Sequence, residues 1–73
     1  MKVEIQYILK AESSTDKDWL GRKAWVVRTE EGLTFGNIYT TVDTASDLDD
    51  AELNYLQQVS VNTNKFVITQ VLA

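Results

Sequence analysis

The chain opens on strict alternation. From Lys2 to Leu9, Val3, Ile5, Tyr7 and Leu9 fall on one side and Lys2, Glu4 and Gln6 on the other, with Ile8 alone breaking the polar row. A period of two is that of a strand buried on one face. Ala11 to Gly21 is polar, and two readings fit it. Ser14 or Thr15 can cap one or two helical turns over residues 14–20, ended by Gly21, or the segment is an irregular loop. Either way Trp19-Leu20, an apolar pair in a polar stretch, is expected to cover one end of a core.

Arg22 to Glu30 and Leu33 to Val42 read as a hairpin around Thr29-Glu30-Glu31-Gly32, a sequence suited to a type I turn followed by a left-handed glycine. That turn pairs Thr29 with Leu33, Val27 with Phe35 and Trp25 with Asn37. It places Trp25, Val27, Leu33 and Phe35 on one face, and Ala24, Val26 and Ile38 on the other with Arg28 and Thr34. Gly36-Asn37 is an expected bulge. The second, surplus apolar face of Ala24, Val26, Ile38, Val67 and Val71 then needs a cover, either from the same chain or from a second copy.

Helical spacing appears once with force. Leu48, Ala51, Tyr55, Leu56 and Val59 form a stripe over about Asp47 to Gln58, with Ser46 or Asp47 as the natural N-cap. Asn62-Thr63-Asn64 makes a turn. Lys65 to Leu72 is rich in β-branched residues and apolar on both sides, the pattern of a central strand. The expected fold class is α+β: one domain over residues 1–73, with an antiparallel or mixed sheet of about four strands and one main helix packed on one face. If 14–20 is helical, the order becomes β-α-β-β-α-β.

Composition narrows function more than fold. The 73 residues hold no Cys and no His, which removes disulfides, thiol chemistry, zinc fingers and imidazole acid–base catalysis. The longest apolar run is four residues, Ala24 to Val27, far short of the roughly 18 a membrane span needs. No apolar leader block opens the chain. The expected setting is cytoplasmic, without membrane or cofactor.

The net charge of −4 is unevenly spread. Residues 1–28 hold six basic against four acidic residues, whereas residues 29–73 hold Lys65 against seven acids. Asp43, Asp47, Asp49, Asp50 and Glu52 crowd the start of the helix. As a calcium loop the run fails, because Glu52 stands where the turn glycine belongs and Gln58 at the twelfth position. No metal site is expected. Helix-dipole stabilisation accounts for several of these acids, and an acidic contact surface for a basic protein groove accounts for all five. Ser13, Ser14, Thr40 and Thr41 have no histidine to act as base, and no phosphate-binding glycine loop occurs, so catalysis is not expected.

The leading expectation is a non-enzymatic module that works by protein–protein contact. A specific version is an inhibitor presenting the five acids to a cationic groove. In general type, a compact acidic domain without Cys, His or Pro is similar to small binding proteins of phages and mobile elements, a likeness of class that assigns no residue. Two alternatives stand beside it. Arg22, Lys23, Trp25, Arg28 and Tyr39 could form an aromatic and basic hairpin face for single-stranded nucleic acid, although nucleic acid is disfavoured by a pI near 4.5. The other is a small homo-oligomeric, in its simplest form homodimeric, structural subunit.

Overall fold

The computed structural model describes residues 1–8, 19–36 and 39–73. Four strands form one antiparallel sheet: β1 (Lys2–Tyr7), β2 (Lys23–Thr29), β3 (Gly32–Phe35) and β4 (Phe66–Leu72). Their order across the sheet is β3-β2-β1-β4, and a single described helix, α1 (Asp50–Thr63), lies on one face beside β4. This is the expected α+β arrangement. Leu9, the proposed turns over 14–18, the Gly36-Asn37 bulge, the Trp25–Asn37 pair and Ile38 fall outside the described residues. Of the Trp19-Leu20 pair, Leu20 is exposed and, among the described residues, only Trp19 has a ring contact, with Tyr7 at the edge of the core. The Trp19 ring meets Tyr7 edge-on at 5.3 Å, and Gly21, at φ 79°, turns the chain into β2.

The alternation of β1 is realised as read: Val3 and Ile5 are fully buried and Lys2, Glu4 and Gln6 face the other way. The hairpin differs by one residue. Thr29 pairs with Gly32, Arg28 with Leu33, Val27 with Thr34 and Val26 with Phe35. The turn therefore holds only Glu30 and Glu31, with Gly32 at φ 126° and the Thr29 hydroxyl donating to Gly32 O at 3.0 Å. A one-residue slip exchanges the faces of a strand. Ala24, Val26, Leu33 and Phe35 all turn toward α1, while Trp25, Val27 and Thr34 turn away. The physical reason is the core. Ala24 sits opposite Ile5, and only this register sends both large side chains of β3 to the side α1 covers.

The core cluster is Val3, Ile5, Ala24, Val26, Leu48, Leu56 and Phe66. A ladder of edge-on rings seals one end of it: Tyr7 meets Phe35 at 5.7 Å, and Phe35 meets Phe66 at 4.7 Å. Burial raises the Tyr7 hydroxyl above its ordinary pKa of 10.0.

The surplus apolar face expected around Ala24 and Val26 is thus the main core. The sheet's outward face carries Trp25, Val27, Val67 and Leu72 instead, among Lys2, Glu4, Gln6, Lys23, Thr34 and Gln70. Part of it is covered by its own chain. Thr40 fills the space a Gly36 side chain would need, and the Lys2 ammonium donates to Ala45 O. Ala45 is buried yet separate from the main cluster. This strap, residues 39–46, then crosses to the helix side at the end of β2. There Ser46 Oγ accepts from the Arg28 backbone N–H at 3.0 Å. Met1 and Leu48 exchange backbone bonds at 2.8 and 2.5 Å.

β4 is an edge strand, where the sequence pattern suggested a central one. Its apolar residues occupy both faces, and a bulge decides which of the later ones turn inward: Glu4 pairs with Gln70 and Ile5 with Ile68, leaving Thr69 extra. Phe66 and Ile68 point to the core on one side of the bulge. On the other side Val71 shares the face of Val3. The Thr69 hydroxyl fixes the irregularity by donating to Glu4 Oε1 at 2.8 Å.

Candidate functional site

The helix begins later than its apolar stripe suggests. Asp49, neither Ser46 nor Asp47, is the N-cap: its carboxylate accepts the Glu52 N–H at 2.8 Å, and Glu52 Oε1 accepts the Asp49 N–H at 3.1 Å. This is a capping box with acids in both roles. Leu48 precedes the helix, and Tyr55, expected in the core stripe, is 58% exposed. Inward positions are Leu53, Leu56 and Val59. At the far end Asn64 adopts the left-handed conformation, φ 54°, and its N–H donates to Ser60 O.

Glu52 has a second task. Arg28, on the inward face at the end of β2, forks onto its carboxylate: Nε donates to Oε2 at 3.1 Å and Nη2 to Oε1. A bidentate guanidinium–carboxylate pair fixes geometry as well as charge. That bond, aided by the Asp49 N–H, holds the Glu52 carboxyl below its ordinary value, and the same bond raises Arg28. A carboxyl whose folded pKa is lowered stabilises the fold above its unfolded pKa, and that contribution disappears as pH falls through the folded value. Urea midpoints should therefore decline below the ordinary glutamate value of 4.5, and Glu52→Gln should flatten that part of the profile. Identical acid profiles for the two proteins would show that the pair does not couple to folding.

The five acids thus divide by role. Glu52 is neutralised by Arg28 and Asp47 lies 3.5 Å from the Lys2 ammonium. Both cations come from strands distant in sequence. Asp49 is engaged as a cap. Asp43, an exposed residue of the 42–44 turn, and Asp50, in the first helical turn, have no ion pair among the described residues.

The structure adds acids that the linear cluster omits. The β2–β3 turn lies opposite the start of α1, and between them runs an open groove lined by Glu31, Gly32 and Leu33 on one side and Asp49, Ala51, Glu52 and Tyr55 on the other. Its walls are carboxylates and its floor includes the half-buried Leu33 and the exposed Tyr55. Glu30 and Asp50 adjoin it in sequence. The sequence carries one hint of this: no cation lies between Arg28 and Lys65, so the acids at the helix start meet cations only from distant segments, Arg28 for Glu52 and Lys2 for Asp47.

The hairpin set is not assembled. Lys23 and Trp25 face outward, with Lys23 3.8 Å from Glu4. Arg28 occupies the opposite face and is occupied by Glu52. Arg22 is exposed before β2, and Tyr39 is an exposed residue of the strap. Among the described residues no three carboxylates converge closely enough to hold a metal ion, and no helix is long and apolar enough to cross a membrane. No protein-family model matches the chain, and neither a curated protein nor a solved structure matches it.

Proposed function

We propose that the protein is a small non-enzymatic binding module that acts through protein–protein contact, taking a basic segment of its partner into the groove between the β2–β3 turn and the start of α1. The observation that carries this reading is that Glu31 and Asp49, far apart in the chain, line one groove together with Leu33 and Tyr55. Lysine and arginine are amphipathic: their methylene stems favour apolar surface while the charged head seeks carboxylates or water. A groove with apolar floor and acidic walls offers both. The excess of acid over base in residues 29–73 would speed encounter with a cationic partner. An inhibitor that captures a basic segment of its target in this groove is the specific form this function takes.

The test must spare the capping box, so Asp49 and Glu52 are left unchanged. Glu31→Gln removes charge from the groove and Asp50→Asn removes charge beside it, without touching a helix cap or the Arg28 fork. Titrating the protein with an oligo-arginine peptide at low salt should shift the amide resonances of Glu31, Leu33, Ala51 and Tyr55 first. The double variant should associate several-fold more slowly, with the difference shrinking as salt screens it. Shifts centred elsewhere, or an unchanged association rate at low salt, would overturn the groove as the site.

A further inference from the structure

The acids that dominate the chain stop at Glu52. Residues 53–73 hold a single charge, Lys65, and they build most of α1 and all of β4. Within β4, Phe66–Leu72 has no charge, no proline and no glycine. Free strand edges are ordinarily guarded by lysine, proline or a cover of helix or loop, because unpaired backbone groups template another strand. Among the described residues the guard is partial. The register with β1 turns the backbone of Lys65 inward, where its carbonyl accepts from Ile8 N–H at 2.9 Å, so the backbone of Phe66 points outward. Ser60 Oγ caps that outward Phe66 carbonyl at 2.6 Å. Beyond it, Ile68 and Val71 turn their backbone groups away from β1, with the Thr69 bulge between them. Val67 and Val71 are 38% and 44% exposed beside this edge, and Val61 projects from α1 at 81%.

We propose that the free edge of β4 pairs with β4 of a second copy of this chain, joining two four-stranded sheets across a two-fold axis. Backbone chemistry specifies that the occupant is a strand. Charge distribution selects a copy of the same chain. Two molecules of net charge −4 repel over their acidic halves, and this uncharged surface is where they approach without placing like charges together. Antiparallel pairing of a strand with itself generates the two-fold axis directly, and an interface of that kind is closed, leaving no further copy to add at β4. The acidic grooves, built by other elements, stay open on both subunits. The proposal does not depend on what those grooves bind.

Sedimentation equilibrium from about 10 µM to about 1 mM covers the affinities such an edge supplies. The wild-type chain should approach twice its 8.3 kDa mass, and added salt should preserve or strengthen the dimer by screening net repulsion. Val67→Lys with Val71→Lys places charge on the edge at two exposed positions, and should give a monomer whose circular dichroism and urea midpoint match those of the dilute wild type. A wild-type chain still monomeric at the highest concentration overturns the proposal. So does a dimer that survives the double substitution, or one that dissociates as salt is added, since each places the contact on another surface.

Discussion

Replacing Phe66 by alanine should remove a large share of the protein's stability. Phe66 is 1% exposed and belongs to the central cluster. Its ring stacks edge-on against Phe35 at 4.7 Å, and its backbone pairs with Tyr7 and accepts from Ser60. Truncating a buried phenylalanine costs about 3–5 kcal/mol, and edge-on ring contact adds ~0.5–1.5 kcal/mol beyond the area lost. A domain of this length has only roughly 4–10 kcal/mol in total. Circular dichroism should show weakened strand signal and a shallow urea transition, while Phe66→Leu, which refills most of the volume, should keep a cooperative one. If Phe66→Ala lost less than about 1 kcal/mol, the ring ladder would not be the keystone of the core.

Gly36→Val should be the most damaging substitution outside the core. The Gly36 N–H donates to Trp25 O at 2.7 Å. A Cβ built at Gly36 would stand 2.8 Å from that same carbonyl oxygen and 2.6 Å from Thr40 Oγ1. The carbonyl belongs to β2 and cannot retreat without lifting the strand, whereas the Thr40 side chain can rotate or be removed. Overpacking of this kind costs about 1–3 kcal/mol, with alanine near the lower figure and branched valine near the upper. Pairing Gly36→Ala with Thr40→Ala should recover part of the loss, because one of the two obstructions is gone and the other is not. Strict additivity of the two changes in a thermal-melt cycle would mean that the strap does not press on the sheet at Gly36.

Much of this architecture is written in local pattern, and what is not follows from contacts between distant segments. β1 was legible because one strand with one buried face has a period of two. The α+β class followed from the order of elements. The hairpin slipped by one residue because a turn sequence suited to a type I turn and a left-handed glycine accommodates either of two registers. The choice between them lies with the core opposite, where Ile5 receives Ala24. α1 begins after its stripe because Leu48 is buried as part of an extended segment held to Met1, so helical spacing counted a residue that is not helical. β4 looked central because both of its alternating sets of positions are apolar, while its place at the edge is set by pairing with β1 alone. The acidic cluster was visible as a run, but its division into cap, ion pairs and exposed charge depends on Lys2 and Arg28, which only the fold delivers. Glu31 and Tyr55 joined the candidate site for the same reason: turn and helix start are far apart in the chain and adjacent in space.

The pairing of Lys2 with Leu72 also governs how the molecule forms. The β2–β3 hairpin and α1 close short loops and can organise within microseconds, but the ladder between the first and last strands requires closing nearly the whole chain. Loop-closure entropy is spent before that ladder returns anything, and topologies dominated by such distant pairings fold slowly for their size. During synthesis β1 stays half-paired until β4 has left the ribosome. The strand at the centre of the finished sheet is thus the last to be completed, and its exposed edge is the point at which a nascent chain is open to mispairing.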